Sequence, residues 1–301
     1  MSSAGTSRVS LNKVLCAIDF SPASFLVLPF AASIARHYGG KLFLAHVAPA
    51  KNNSPSVPPT SDVASDQELM QASVEKRLGT MHESLYDIPH EVLVDHGDFW
   101  PKLSAMADKF EIDLIVIGTH GRRGISKLLR GSTAEEIVRS ATRAVLTIGP
   151  CVSGGPEFKR ILFVTDFSTA AVRAMPFAFS LARTYHASLC FLHVNDWNIN
   201  EPPVEAKPKT LEFIYEQVRK HGLSAVGGEV IVKFGPRAGT ILEIATDREV
   251  DLVIMGERSG SKKMARFAAH LPGLTAYQVI SEAHCPVLTV HATTAEKGDI
   301  A

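Results

Sequence analysis

The sequence has neither an excess of one charge nor a long apolar run. Lys and Arg together number 31, as do Asp and Glu, so the formal net charge is zero and we expect no nucleic-acid partner. No stretch approaches the roughly 20 consecutive apolar residues that span a bilayer. Residues 1–10 are short and polar with no apolar segment behind them, which predicts neither a signal peptide nor a membrane anchor.

Cysteine is scarce, and its positions exclude its usual structural uses. The four cysteines have no disulfide or metal-ligand spacing, and two of them, Cys16 and Cys190, lie within apolar strand patterns. Cysteines in such positions are usually reduced residues of the core, so we expect a cytoplasmic protein.

Several catalytic signatures are also absent. The sequence contains no Gly-x4-Gly-Lys-Ser/Thr P-loop, no Gly-x-Ser-x-Gly nucleophile elbow and no paired Cys/His metal spacing. No positioned general base stands out either. The sequence therefore favours binding over turnover as the function.

The chain contains an internal repeat the size of a domain. Asp19-Phe20-Ser21 recurs as Asp166-Phe167-Ser168, displaced by 147 positions. Further along, the displacement falls to 138, as from Gly118 to Gly256, and it is 142 in the last part of each half. A period this long indicates a duplicated domain and not a solenoid of small repeats.

Two domains of ordinary size account for the length. The Gly and Pro content of residues 151–156 suits neither strand nor helix and predicts a linker. The predicted boundaries are a disordered tail at 1–10, a first domain at 11–149, a linker at 150–157, a second domain at 158–292 and a tail at 293–301.

Strand and helix patterns alternate in both halves. Apolar runs in the first half predict five strands, at 14–18, 42–47, 90–94, 113–117 and 144–148. Helical patterns separate them, which predicts an α/β fold with a parallel sheet covered by helices on both faces. In such sheets ligands lie beyond the carboxyl ends of the strands.

One strand-to-helix connection has the residues of a phosphate-binding loop. Residues 118–121, Gly-Thr-His-Gly, follow a buried strand, and residues 131–133, Gly-Ser-Thr, precede a helical pattern. Glycines there would let the backbone approach an anion, and the helix N-terminus offers amide and hydroxyl donors. Asp19 and Val47 end two other strands, so we expect them to open onto the same crevice as Gly118.

The spacing of these residues resembles that of the universal stress protein family. Its nucleotide signature, Gly-x2-Gly-x9-Gly-Ser/Thr, is matched by Gly118, Gly121, Gly131 and Ser132, and its Asp-Phe-Ser by residues 19–21. The resemblance covers nearly the whole chain as two tandem modules. It implies two Rossmann-like domains of the adenine nucleotide alpha-hydrolase-like kind, each with a five-stranded parallel sheet in the order 3-2-1-4-5.

The resemblance also implies a ligand, ATP or AMP, and the residues that hold it. Asp19 would contact ribose or a phosphate-bound magnesium ion, and main-chain groups at Val47 would read the adenine edge. The loop that follows the fourth strand would hold the phosphates through Gly118, Thr119, His120, Gly121, Arg122, Gly131, Ser132 and Thr133. Whether a metal is required is not decided by the sequence.

The second half departs from this pattern. Three and twelve residues separate the glycines of its loop, where the signature has two and nine, and Leu274 stands in place of the hydroxyl. Nucleotide binding is therefore predicted for the first domain, with the second as a structural or regulatory partner.

Several of these residues also have a structural interpretation. Asp19 and Asp166 are suited to cap the helices that follow them. His46 and His193, at matching places in apolar strands, are interpreted as hydrogen-bonded core histidines. His120 either approaches a phosphate or is merely exposed.

The sequence thus predicts a stress-response protein that binds ATP or AMP in its first domain and uses occupancy as a signal. The alternatives are a slow ATP hydrolase and a nucleotide-free interaction scaffold.

In single-domain relatives the fifth strand joins two subunits, so the resemblance implies that 144–148 and 286–290 pair within one chain as a pseudo-dimer. A homodimer of whole chains is a further expectation, and no protein partner is identified.

Overall fold

The chain folds into alternating strands and helices. The computed structural model describes residues 9–20, 22–49, 72, 76, 85–119, 141–195, 212, 216, 228–257 and 275–291. In these ranges ten strands and five helices have described bounds. The chain divides into two compact units, one formed by Leu11–Ile137 and the other by Met1–Ser10 together with Val138–Ala301.

The unit formed by Leu11–Ile137 has four described strands, all parallel. They are β1 (Lys13–Ala17), β2 (Lys41–Ala48), β3 (His90–His96) and β4 (Leu114–Gly118). β1 lies between β2 and β4, and β3 pairs with the other side of β2. The described helices are α1 (Pro22–His37) and α2 (Phe99–Lys109). β4 is buried along its whole length, as expected for a strand covered on both faces.

The other unit contains six described strands and three described helices. The strands are β5 (Ala144–Ile148), β6 (Arg160–Val164), β7 (Ser188–Asn195), β8 (Gly228–Phe234), β9 (Leu252–Glu257) and β10 (Val287–His291). The helices are α3 (Thr169–Thr184), α4 (Arg237–Asp247) and α5 (Thr275–Glu282). β6 to β10 form a parallel sheet in the order β8-β7-β6-β9-β10. This confirms the 3-2-1-4-5 order that the resemblance implies for a domain.

β5 pairs with β10 in the antiparallel direction, so the sheet of this unit is mixed. Leu146 of β5 lies opposite Leu288 of β10, and both side chains are buried. After β5 the chain passes so close to α5 that a Cβ on Gly149 would overlap the carbonyl of Ile280. A backbone ladder therefore joins the strand predicted to close the first half to the strand predicted to close the second.

The core of this second unit includes the sheet face that packs against α4 and α5. Leu162, Leu192 and Val253 of the sheet form one buried cluster with Ile241 of α4 and Val279 of α5. All five are at most 1% exposed. None of the described helices is both long enough and apolar enough to cross a membrane.

Four helices end in the same left-handed turn. The residues with positive φ are Gly39 (60°), Glu111 (53°), His186 (52°) and Glu249 (46°). After α1, the Gly40 amide donates to the Ala35 carbonyl at 2.8 Å and the Gly39 amide to the Arg36 carbonyl at 3.1 Å, which is the Schellman arrangement. Glycine marks the end of α1 in the sequence, but the three other turns lack that signal.

Candidate functional site

Three predicted site residues lie at the carboxyl edge of the sheet in the unit formed by Leu11–Ile137. Backbone pairing places Ala17 of β1 beside Ala45 of β2. Two residues further on, Asp19 lies just beyond β1 and is therefore level with Val47, near the end of β2. β4 pairs with the other side of β1 and ends at Gly118. The carboxyl ends of three adjacent strands thus bring Asp19, Val47 and Gly118 together.

These residues differ in exposure. Asp19 and Val47 are half-buried, whereas Gly118 and Thr119 are buried. The remaining predicted site residues, His120, Gly121, Arg122, Gly131, Ser132 and Thr133, lie outside the described residues. Their contact with phosphate stays a prediction.

The turn after β1 has a backbone conformation that a bulky residue rarely adopts. Phe20 has a φ of 57°, in the left-handed region, where such a residue is strained by about 1–3 kcal/mol. Its side chain is buried, and its ring centroid lies 5.1 Å from that of His46 in β2. His46 Nδ1 donates to the Ile18 carbonyl at 2.8 Å. The buried ring and the histidine together hold the turn that carries Asp19.

The second unit repeats this turn after β6. Phe167 has a φ of 59°, and its ring centroid lies 4.6 Å from that of His193. His193 Nδ1 donates to the Thr165 carbonyl at 2.8 Å. His46 and His193 are therefore hydrogen-bonded, as the structural interpretation holds, but both are half-buried at a sheet edge and do not lie in the core.

The cap of α3 is Ser168, and the interpretation of Asp166 as that cap is wrong. Ser168 Oγ accepts a hydrogen bond from the Ala171 amide at 3.3 Å. Asp166 Oδ1 accepts from the Ser168 amide at 3.0 Å, so it stabilises the turn before the helix begins. The counterpart of Ser168 in the first half, Ser21, lies outside the described residues.

Gly256, the counterpart of Gly118, is required by packing. A Cβ at Gly256 would overlap main-chain atoms of Ala170 and Ala171 at the start of α3. Glycine therefore lets β9 pass directly against the first turn of the helix. This close packing explains why Gly256 is present in the second unit, although the other positions of the nucleotide signature are altered there.

Two further glycines at these edges were not singled out by the sequence analysis. Gly97 follows β3 with a φ of 127°, and Gly235 follows β8 with a φ of 150°. Their amides donate to the carbonyls of Ala48 and Asn195, at 2.9 and 3.1 Å. The 138-position displacement of the repeat relates the two glycines and is the signal that could have found them.

An ion pair lies beside Val47. Asp95, opposite Val47 in the β2–β3 ladder, has its Oδ1 3.1 Å from Lys102 Nζ and 2.7 Å from the His96 amide nitrogen. Burial alone would raise the pKa of Asp95, but these two donors outweigh it and the pKa is lowered. Asp95 is therefore an ionised, partly neutralised carboxylate at neutral pH.

Fold and edge geometry define the class of protein as a duplicated Rossmann-like α/β protein with a strained Asp-Phe turn at the carboxyl edge of each sheet. The sequence profile of the universal stress protein family matches residues 10–149 and 157–291. The chain belongs to the universal stress protein family.

Individual relatives agree with this assignment. Universal stress protein A homolog 1 of Coxiella burnetii is 31% identical over 139 residues, which cover 45% of this chain and 94% of the relative. A universal stress protein of Mycolicibacterium smegmatis is 29% identical over 137 residues, 46% of this chain, and the match spans only 45% of that relative. The crystal structure of a universal stress protein from Archaeoglobus fulgidus covers 94% of this chain and 97% of its own, with a TM-score of 0.71 and 20% identity. The last likeness shows the fold over both modules.

Proposed function

We propose that the first half of the chain binds an adenine nucleotide, ATP or AMP, and that nucleotide occupancy acts as a signal in a stress response. One observation carries the proposal. Asp19, Val47 and Gly118 meet at one carboxyl edge, where the connection that begins at Gly118 has the nucleotide signature of the family. Ligands of open parallel sheets lie at such edges.

The described residues suit this ligand. The half-buried carboxylate of Asp19 is an acceptor for ribose hydroxyls, and the half-buried backbone at Val47 offers an amide and a carbonyl to the adenine edge. The phosphates would lie along the loop that begins at Gly118. Within the described ranges, no group of three or more His, Cys, Asp or Glu residues is arranged to hold a metal ion. In this proposal, a magnesium ion bound to the phosphates would contact Asp19.

The proposal extends to assembly and location. The β5–β10 ladder supports a pseudo-dimer in which the two halves pair within one chain. The four cysteines are free thiols, which supports a cytoplasmic location.

Slow hydrolysis of bound ATP is the alternative function, and measuring ATP turnover with and without magnesium separates it from binding alone.

The variant Asp19→Ala tests the role of the aspartate. If Asp19 contacts the nucleotide, ATP affinity measured by isothermal titration calorimetry should fall by about 1–3 kcal/mol with thermal stability unchanged. If Asp19 is chiefly a helix cap, stability should fall by about 1 kcal/mol with ATP affinity unchanged, and its assignment to the site would be lost. The matched control is Asp166→Ala, in the equivalent turn of the other unit, which should leave ATP affinity unchanged.

A further inference from the structure

The first residues of the chain belong to the second compact unit and not to the domain that follows them in the sequence. Met1–Ser10 is part of the same unit as Val138–Ala301, whereas Leu11–Ile137 forms the other unit. The peptide bond between Ser10 and Leu11 therefore passes from one unit to the other. The unit formed by Leu11–Ile137 is thus covalently continuous with the second unit at both of its ends.

A hydrogen bond attaches the N-terminal segment to α3 of the second unit. Ser180 Oγ donates to the Val9 carbonyl at 2.9 Å, although 171 positions separate the two residues in the sequence. Val9 is half-buried and Ser10 is exposed. Successive side chains of an extended segment point to opposite sides, so this difference is typical of a segment that lies along a surface.

The face of α3 that carries Ser180 is suited to an extended segment. Arg173, Phe177, Ser180 and Thr184 are three or four positions apart, so they lie on one face of the helix, and all four are half-buried. Phe177 offers apolar surface beside the hydroxyl of Ser180. This face therefore combines a hydrogen-bond donor for a backbone carbonyl with an apolar surface for a side chain such as Val9.

The first half of the chain uses the equivalent hydroxyl differently. Ser33 of α1, displaced from Ser180 by 147 positions, is 2% exposed, and its Oγ lies 3.4 Å from His37 Nδ1 one helical turn further on. In α3 the residue at the position of His37 is Thr184, which has no ring nitrogen. The hydroxyl of Ser180 bonds instead to the N-terminal segment.

We propose that Val9 and Ser10 form an N-terminal strap, for which the outer face of α3 is the docking surface. The occupant of this surface is a segment of the chain itself and not a separate protein. The strap holds the unit formed by Leu11–Ile137 at its first residue, in addition to the connection after its last residue. When the strap opens, only the connection after the last residue remains.

Trypsin cleavage after Arg8 tests the strap, because this bond immediately precedes Val9. A protease cuts such a bond only while the segment is detached, so the cleavage rate reports the population of the open strap. A synthetic peptide of residues 1–12 contains this bond and no other Lys or Arg, so it gives the rate for an unattached segment. Release of residues 1–8 from the full chain, followed by mass spectrometry, should be about tenfold slower or more than release from the peptide.

Substitutions of Ser180 test the hydrogen bond itself. Ser180→Ala should accelerate cleavage after Arg8 by about threefold to tenfold, because an ordinary hydrogen bond is lost, whereas Ser180→Thr keeps the hydroxyl and should be cleaved like the wild type. The matched control is Thr246→Ala, which loses a hydroxyl bond of 2.9 Å to the Leu242 carbonyl within α4 and should not change the rate. A thermal melt of each variant verifies that it is folded. The comparison of the wild-type chain with the peptide tests the strap even if Ser180→Ala does not fold.

Three results would overturn the strap. The first is a wild-type chain that releases residues 1–8 as fast as the peptide does. The second is a folded Ser180→Ala variant that is cleaved after Arg8 at the wild-type rate. The third is an equal acceleration in Thr246→Ala, because general destabilisation and not the bond to Val9 would then explain the effect.

Discussion

Replacing Gly256 with alanine should destabilise the second unit, because the added methyl group has no room. A Cβ there overlaps main-chain atoms of Ala170 and Ala171. The obstacle is the backbone of α3 and not the end of a flexible side chain, so β9 or the start of the helix must shift. Overpacking a well-packed region costs about 1–3 kcal/mol, and a backbone obstacle places this substitution near the upper value.

Differential scanning calorimetry measures the effect. For a unit of this size, each 1 kcal/mol lowers Tm by about 2–4 °C, so Gly256→Ala should lower it by about 6–12 °C. Gly154→Ala is the matched control, because nothing lies within 4 Å of a Cβ at Gly154. That variant should melt like the wild-type chain or slightly above it. Equal melting temperatures for the two variants would refute the packing role of Gly256.

Four other predictions follow from other contacts in the structure. Ser168→Ala should lower the free energy of unfolding by about 1 kcal/mol in urea denaturation, because the α3 cap is lost, and an unchanged midpoint would show that the bond is dispensable. Burial raises the pKa of the Cys16 and Cys285 thiols to about 12, so at pH 8 a disulfide reagent should modify exposed Cys151 much faster, and Cys151→Ser should remove that fast reaction. These folded-state pKa values exceed the unfolded value of 9.0, so the contribution of the two buried thiols to the free energy of unfolding should be intact below pH 9 and be lost between about pH 9 and 12. A free energy of unfolding that does not change up to pH 12 would contradict the burial of these thiols. Residues 1–150 expressed alone should dimerise through 144–148, and Val145→Lys with Leu146→Lys should prevent this, whereas a monomeric wild-type fragment in analytical ultracentrifugation would count against edge pairing.

The strands could be predicted well because a buried parallel strand is a continuous apolar run. The observed bounds of β1, β4 and β5 lie within one residue of the predicted ranges. The end of α1 could be predicted equally well, since Gly39 is suited to its left-handed turn. Glu111 and His186 adopt the same conformation without any such preference. Hydrogen bonds of the folded chain hold those turns, and no local residue pattern predicts them.

The candidate site could be predicted only in part. Asp19, Val47 and Gly118 each end a strand, and parallel strands end at the same edge, so their proximity follows from topology. The left-handed Phe20 does not follow, because its strain is balanced by packing on His46 from another strand. The packing role of Gly256 could not be predicted either, because its close neighbour is the backbone of α3, whose position is set by tertiary packing.

Titration of the full chain with ATP tests the central claim most directly, namely that the first half holds a nucleotide site and the second does not hold an equivalent one. We predict one strong ATP site per chain. Gly131→Val should abolish it, because a β-branched side chain would obstruct the approach of a phosphate and resist an unusual backbone angle. Two equivalent ATP sites, or undiminished binding by Gly131→Val, would contradict the account.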